Sequence, residues 1–340
     1  MKVLLVNMNF CCIILCTGSN NMKHYVGVDL GGTNIVAGVV NEDYKILSQS
    51  STKTLAFERS FEAVVADIAA MVEQSVQKAG LSMDDISSVG LGTPSCIHPK
   101  TRRLVFSNNL GWHDVPLYDE LEKHIKKPLF IKNDADCAAL GEALAGCAGE
   151  YKHALMITLG TGVGGGMIMD GKIFCGCDNM GTEMGHIKLV YEGTMCTCGQ
   201  KGCFEAYGSA TALIAQTKEA LRQNPSGKMY EMCGGDLEKV DGKLAFDAAK
   251  QGDASAVNVV DRYISYVAAG LSSLIIVLRP EVVIIGGGIG GEGEYLLGPL
   301  NKRIYEYTTA ADELGVPKAV AAKLGNDAGL IGAAMLELHQ

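Results

Sequence analysis

Leu159-Gly160-Thr161-Gly162-Val163-Gly164-Gly165-Gly166-Met167 touches two well-known nucleotide motifs and satisfies neither. Gly160, Gly162 and Gly165 match the dinucleotide pattern Gly-x-Gly-x-x-Gly, but that pattern must open a helix, and here the apolar run Met167–Met169 continues as a strand. Gly166 to Lys172 nearly completes a P-loop, yet Ile173 stands where Ser or Thr must hold magnesium. What remains is a strand (His153–Leu159), a glycine turn and a second strand. The same unit occurs earlier: His24–Asp29 alternates into a strand, Gly31-Gly32-Thr33 turns tightly, and Ile35–Val40 returns. Backbone N–H groups in such a turn can cradle phosphate, although each turn taken alone is equally a plain hairpin. Two of them, one per half, outline a duplicated α/β nucleotide-binding fold.

Between and beyond the hairpins the apolar periodicity is regular. Phe61, Val64, Ile68, Met71, Val72 and Val76 fall on one helical face, predicting a helix over 60–79 whose stripe is core. A short strand, Ser88–Gly92, ends in Thr93-Pro94-Ser95 and an irregular loop running to Asn108-Asn109-Leu110-Gly111-Trp112. Asn109 suits a sugar hydroxyl, and suits an Asx turn equally well. Pro128–Lys132 is a strand with Asn133-Asp134 at its end, followed by a helix over Ala135–Gly146. Asp is a favoured N-cap, and a carboxylate at a strand's C-terminal end is also where open α/β sheets place catalytic groups. Both roles are compatible for Asp134. Helices are further predicted over 206–221, 254–278, 295–307 and 328–338, with strands over 281–285 and 319–324. Gly286-Gly287-Gly288-Ile289-Gly290-Gly291 is a second Gly-x-Gly-x-x-Gly match that does precede a helix. It supports a rival dehydrogenase reading, and would equally let an adenine lie against bare backbone.

Gly181 to Ser209 concentrates metal-type ligands: His186, Cys196, Cys198 and Cys203, flanked by Glu183 and Glu205. Three thiolates and an imidazole form a closed tetrahedral set for structural zinc, leaving no position for a reactive water. Cys-x-Cys is too cramped for an unstrained bridge to its own neighbour, and Gly199-Gln-Lys-Gly202 supplies the turn a zinc loop needs. The cysteines would hold the loop while the glutamates and the second nitrogen of His186 face a ligand.

The chain has 340 residues, long enough for two domains or one lobed fold, with 48% hydrophobic and 20% charged residues. A net charge of −9 without any basic cluster argues against nucleic-acid binding. Twelve cysteines, mostly single and in apolar surroundings, fit a reducing, cytoplasmic setting. Residues 1–21 loosely imitate a secretory signal, but Asn7 and Asn9 interrupt the apolar run and no small-x-small site follows. They are read as an upstream extension, with Met22 the natural start. Asp261 and Arg262 argue against the helix over 254–278 crossing a membrane.

On the glycine turns, the Asn133-Asp134 pair and above all Gly181-Thr-Glu-Met-Gly-His with Cys196-Thr-Cys-Gly-Gln-Lys-Gly-Cys-Phe-Glu205, the chain resembles the ROK family of repressors and sugar kinases from Met22 to Leu338. The resemblance implies a two-lobed, actin-like (ribonuclease-H-like) sugar kinase fold with an active-site cleft. The implied lobes are 22–133, joined by a C-terminal helix 326–340, and 134–325, bearing the zinc loop 181–209. It also implies transfer of the ATP γ-phosphoryl to a hexose, with glucose to glucose 6-phosphate expected first, and fructose, mannose or an N-acetylhexosamine as alternatives. By position, Asp29, Gly31, Gly32 and Thr33 match the first phosphate motif, and Gly160, Thr161 and Gly162 the second. Gly286, Gly287 and Gly288 match the adenosine side. Asp134 matches the general base, and Asn109, Asn133, Glu183, His186 and Glu205 the sugar contacts. His186, Cys196, Cys198 and Cys203 match the zinc ligands. Mg²⁺ with ATP is implied, with Asp29 as its expected holder through water, and a homo-oligomer, dimer or tetramer, is expected. Two departures, Ser95 for a glycine and Asn108 for a proline, lie on the loop that shapes the sugar pocket. ROK regulators carry an N-terminal winged helix. With the first phosphate strand beginning at His24, none is expected here.

Overall fold

The structure, a computed structural model, describes residues 22–339; the extension expected over residues 1–21 lies outside them. In chain order the first strands are β1 (His24–Leu30), β2 (Asn34–Asn41), β3 (Ile46–Lys53), β4 (Ile86–Thr93), β5 (Leu104–Ser107), β6 (Trp112–Val115) and β7 (Leu129–Asn133). The second half adds β8 (Ala154–Leu159), β9 (Val163–Met169), β10 (Lys172–Phe174), β11 (Val282–Gly286) and β12 (Lys318–Ala321). Two five-stranded sheets result, ordered β3-β2-β1-β4-β7 and β10-β9-β8-β11-β12, with β5 and β6 as a separate hairpin. In each sheet the first three strands meander antiparallel and the last two run parallel to the first. One topology is therefore used twice. This duplication agrees with the two-lobed fold that the resemblance implied.

Sequence explains the strand positions. β1 and β11 are nearly continuous apolar runs, buried along their length, as central strands must be. β3 alternates buried or half-buried with exposed residues and lies at an edge. The helix Phe61–Lys78 starts where the Ser60 hydroxyl accepts from the Ala63 N–H at 3.3 Å, and it covers the first sheet with Val64, Val65, Ile68 and Val72. On the second sheet lies the long helix Ala254–Leu278, whose Tyr263, Ile264, Val267, Leu271 and Ile275 are buried. Long and apolar enough to cross a membrane, it serves here as a core helix.

A third cluster ties the two sheets together. It contains Cys137 and Leu140 from the helix Asp134–Leu144, Leu330 and Ala333 from the helix Asp327–Ala334, Val40 of the first sheet and Met156 of the second. Small residues permit the approach: a Cβ on Gly90 of β4 would sit 1.7 Å from the Ala333 carbonyl oxygen.

Some expectations needed adjustment. The loop after Ser95 is not wholly irregular but contains the β5–β6 hairpin, whose second strand opens at Trp112, and that ring meets Phe61 edge-on at 5.0 Å. The single helix expected over 206–221 breaks into Glu205–Gly208 and Ala210–Gln223, because Ser209 turns to extended φ/ψ and caps the second. The last helix ends at Ala334, earlier than its apolar pattern suggested.

Candidate active site

Every parallel strand ends at one cleft. Asp29 is the penultimate residue of β1, Pro94 and Ser95 follow β4, and Asn133 closes β7 with Asp134 next. Gly160 follows β8, Gly286 closes β11 and Ala322 follows β12. All of them line a cavity of about 910 Å³ between the sheets. Ligands in α/β sheets bind at such carboxyl ends, where side chains and free backbone N–H groups converge.

The cleft gathers Asp29, Asn109, Asn133, Asp134, Gly160, Thr161, Gly162, Glu183, His186, Glu205, Gly286, Gly287 and Gly288 on its walls, with Cys198 at its edge. Gly31, Gly32 and Thr33 are not on the wall. Their turn projects past the end of β1 to the rim, where a Cβ on Gly32 would lie 3.0 Å from the Asn109 carbonyl oxygen. Cys196 and Cys203 are buried behind the wall. Gly287 has φ +78° and a Cβ there would be 2.5 Å from the Leu159 carbonyl oxygen, so neither its dihedral nor its space admits a side chain.

Local geometry separates neighbouring roles. Asn133 is the N-cap: its Oδ1 accepts from the Ala135 N–H at 2.8 Å, and its amide donates to the Ser95 carbonyl at 3.5 Å. Its side chain thus stitches the Pro94–Ser95 loop to the helix start. Asp134 is consequently the first helical residue, with Oδ1 accepting from the Ala135 N–H at 2.8 Å. Burial raises its carboxyl above the ordinary aspartate range, against that hydrogen bond. Asp29 is pushed up to about 6 by burial, with the negative Asp134 adding to the shift. Two desolvated carboxylates facing one cavity suit a divalent cation between protein and phosphates, so Asp29 fits the Mg²⁺-bearing position. Glu183 is also raised by burial, with His186 opposing.

The sugar loop departures find places. Ser95 is buried and donates to the Phe106 carbonyl at 2.7 Å, while Ser107 donates back to the Pro94 carbonyl at 2.8 Å. Asn108 lines the cleft beside Asn109.

His186, Cys196, Cys198 and Cys203 bring their ligand atoms within 4.8 Å of one another. Cys198 Sγ lies 3.7 Å from Cys203 Sγ, and Cys196 Sγ 3.8 Å from His186 Nδ1. Tetrahedral arms of about 2.3 Å put sulfurs about 3.8 Å apart, so the residues present fit zinc. Nδ1 faces the cluster, which leaves Nε2 of His186 for the cleft. Glu205 joins this cluster to the second glycine turn: Oε1 accepts from Thr197 Oγ1 (2.8 Å) and Cys196 Sγ (3.3 Å), and Oε2 from the Val163 N–H (3.0 Å). Gly162 must be glycine to allow it, since its Cβ would be 2.4 Å from Oε2. Behind the loop, fully buried Phe204 anchors it under the long helix.

Cleft residues that sequence reasoning missed include Cys96, Phe106, Asn179, Thr182 and Thr197. Asn179 and Thr182 carry positive φ without being glycine and so leave no local signal, whereas the Asp134-Ala-Asp136 spacing was visible. The dehydrogenase alternative lacks its sheet. β9 and β10 run antiparallel beside β8, and the glycines after β11 enter a single helical turn, Gly287–Gly290, rather than a long helix.

A model of the ROK family matches residues 25–340. The chain is 39% identical over 312 residues to a glucokinase of Thermotoga maritima, covering 92% of this chain and 96% of that one. It superposes on a ROK family glucokinase from Streptomyces griseus, solved with glucose and AMPPNP, with TM-score 0.76 and 34% identity over 93% of this chain and 98% of that one. A ROK hexokinase from Thermus thermophilus gives TM-score 0.78 at 31% identity, covering 92% and 97%.

Proposed function

Because the chain belongs to the ROK family, we propose that it is an ATP-dependent hexose kinase acting foremost on glucose at the 6-hydroxyl. The observation that carries this is convergence: Asp134, Asp29, Asn109, Glu183, His186 and Glu205 face one cleft together with the glycines that end β8 and β11. Glucokinase relatives over nearly the whole chain support the substrate class.

Asp134 takes the proton of the attacking hydroxyl, a step worth about 10²–10⁴-fold. Its burial brings its basicity toward neutrality while leaving it at a helix N-terminus, whose dipole favours the carboxylate. The glycine turns after β8 and β11 bring bare backbone to the nucleotide, and Asp29 would hold Mg²⁺, which would supply charge neutralisation at the phosphates. Asn109, Glu183, Glu205 and His186 Nε2 hold the remaining hydroxyls, fixing which oxygen faces Asp134. Asn133 holds the sugar loop through the Ser95 carbonyl. His186, Cys196, Cys198 and Cys203 would hold a structural zinc, which would fix the imidazole and the loop beside Glu205. Residues 22–133 with the helix Asp327–Ala334 form one lobe and 134–325 the other, and their closure excludes water.

A coupled ADP-release assay across glucose, mannose, fructose and N-acetylhexosamines, with ATP and polyphosphate as donors, tests this. ADP formation led by glucose is expected. Preference for another hexose moves the substrate assignment, and silence with every sugar removes the kinase reading.

A further inference from the structure

Two non-glycine residues on the cleft wall stand in left-handed backbone: Asn179 at φ +61° and Thr182 at φ +66°. Asn tolerates this region, but a β-branched residue there is an outlier. Such strain persists only where surrounding interactions over-determine it. Here they are explicit. Asn179 Oδ1 accepts from Lys132 Nζ at 2.8 Å and Cys175 Sγ at 3.0 Å. Its Nδ2 donates to the Ile97 carbonyl at 3.1 Å. Thr182 Oγ1 lies 3.3 Å from Asp136 Oδ1 and 2.5 Å from the Gly181 carbonyl oxygen.

A hydroxyl has one proton, so Thr182 cannot donate to both oxygens at once. The bond that reaches beyond the turn is the one in which the Thr182 hydroxyl donates to Asp136 Oδ1. Burial pushes Asp136 up to about 7, with the Lys132 charge and the Thr182 hydrogen bond opposing. Asp136 lies two residues from Asp134 on the same helix, and Thr182 immediately precedes Glu183. Their contact therefore joins the helix carrying the base to the turn carrying a sugar-binding carboxylate.

We infer that Thr182 is a positioning residue for the hexose: joined to Asp136, it holds the strained turn that presents Glu183 to a sugar hydroxyl. This rests on the reading of Glu183 as a sugar contact. Glu183 binds its hydroxyl in ground and transition states alike, so loosening it raises KM for sugar and leaves kcat in place.

Thr182→Val keeps the branched shape and removes the hydroxyl. It should raise the glucose KM about five- to tenfold, the span of one lost hydrogen bond, with kcat and the ATP KM within about twofold. Thr182→Ser, which retains the hydroxyl, should restore the glucose KM. An unchanged glucose KM in Thr182→Val, or equal rises for glucose and ATP, overturns the inference. Should Thr182→Val melt early, Thr182→Ala is judged by the same criteria. Glu183→Gln separates the two levels. If it leaves glucose KM untouched, the sugar-contact reading fails; if it raises KM while Thr182→Val does not, the positioning role alone fails.

Discussion

Asp29 carries the sharpest electrostatic consequence of the cleft. Its carboxyl, pushed to about 6 by burial and by Asp134, is desolvated with a like charge nearby. A cation relieves both costs. Asp29→Asn should therefore raise the Mg²⁺ concentration needed for half-maximal turnover by about tenfold, with the glucose KM little changed; this is about what loss of one charge-assisted contact allows. Magnesium titration of initial rates checks it, and an unchanged requirement removes Asp29 from that role. At this scale the sequence was informative where chemistry is written in residue type: Asp29 and Asp134 at strand ends, Glu183 and His186 on the turn well after β10, and the glycines after β8 and β11 all line the cleft. Asp136, Asn179 and Thr182 were not singled out, because their importance lies in burial and a left-handed backbone, neither of which local sequence displays. Gly31, Gly32 and Thr33 show the converse limit. Their motif was legible, but whether a hairpin tip lines a cleft or its rim depends on how far it overhangs the sheet.

The Cys196–Cys203 loop behaves as one element. Its backbone is pinned by Cys196 N–H to Gln200 O (2.8 Å) and Phe204 N–H to Ile187 O (2.9 Å), and its front face presents Glu205 and His186. If zinc is its fastener, as proposed, chelation or Cys198→Ser should lower the melting temperature and weaken glucose binding, while nucleotide affinity changes little. Calorimetry of sugar binding before and after chelation checks this; full sugar affinity in metal-free protein would contradict the brace. Elements with strong periodicity, such as the helices Phe61–Lys78 and Ala254–Leu278, were legible almost to the residue. β3 was not, because Ser48-Gln49-Ser50-Ser51-Thr52 lacks an apolar face and is a strand only through pairing with β2. The β5–β6 hairpin escaped notice for the same reason: four-residue strands owe their existence to their partners.

At the scale of the molecule, one sheet topology used twice brings six parallel strand ends to a shared cleft, and the cleft collects buried carboxylates. That concentration has a stability cost. Asp29 and Asp136 hold their protons up to about 6 and about 7 when folded, against about 4 when unfolded. Between those values the folded chain binds more protons, so this contribution is fully present below about pH 4 and lost as pH rises through 6 and 7. Asp136→Asn removes its share, on the order of a few kcal/mol. Its melting temperature should gain on the parent's between about pH 5 and 8; a gap constant with pH would contradict the assignment. The duplication was legible as two glycine hairpins. The third cluster that joins the sheets was not, since it depends on Gly27, Gly90 and Gly332 meeting backbone from distant segments.

The central claim, that Asp134 is the base of a hexose kinase, is tested most directly by measuring glucose binding and single-turnover phosphorylation on the same Asp134→Asn protein. Near-parental glucose affinity with turnover reduced by about 10²–10⁴-fold is the predicted result. Near-parental turnover would contradict it.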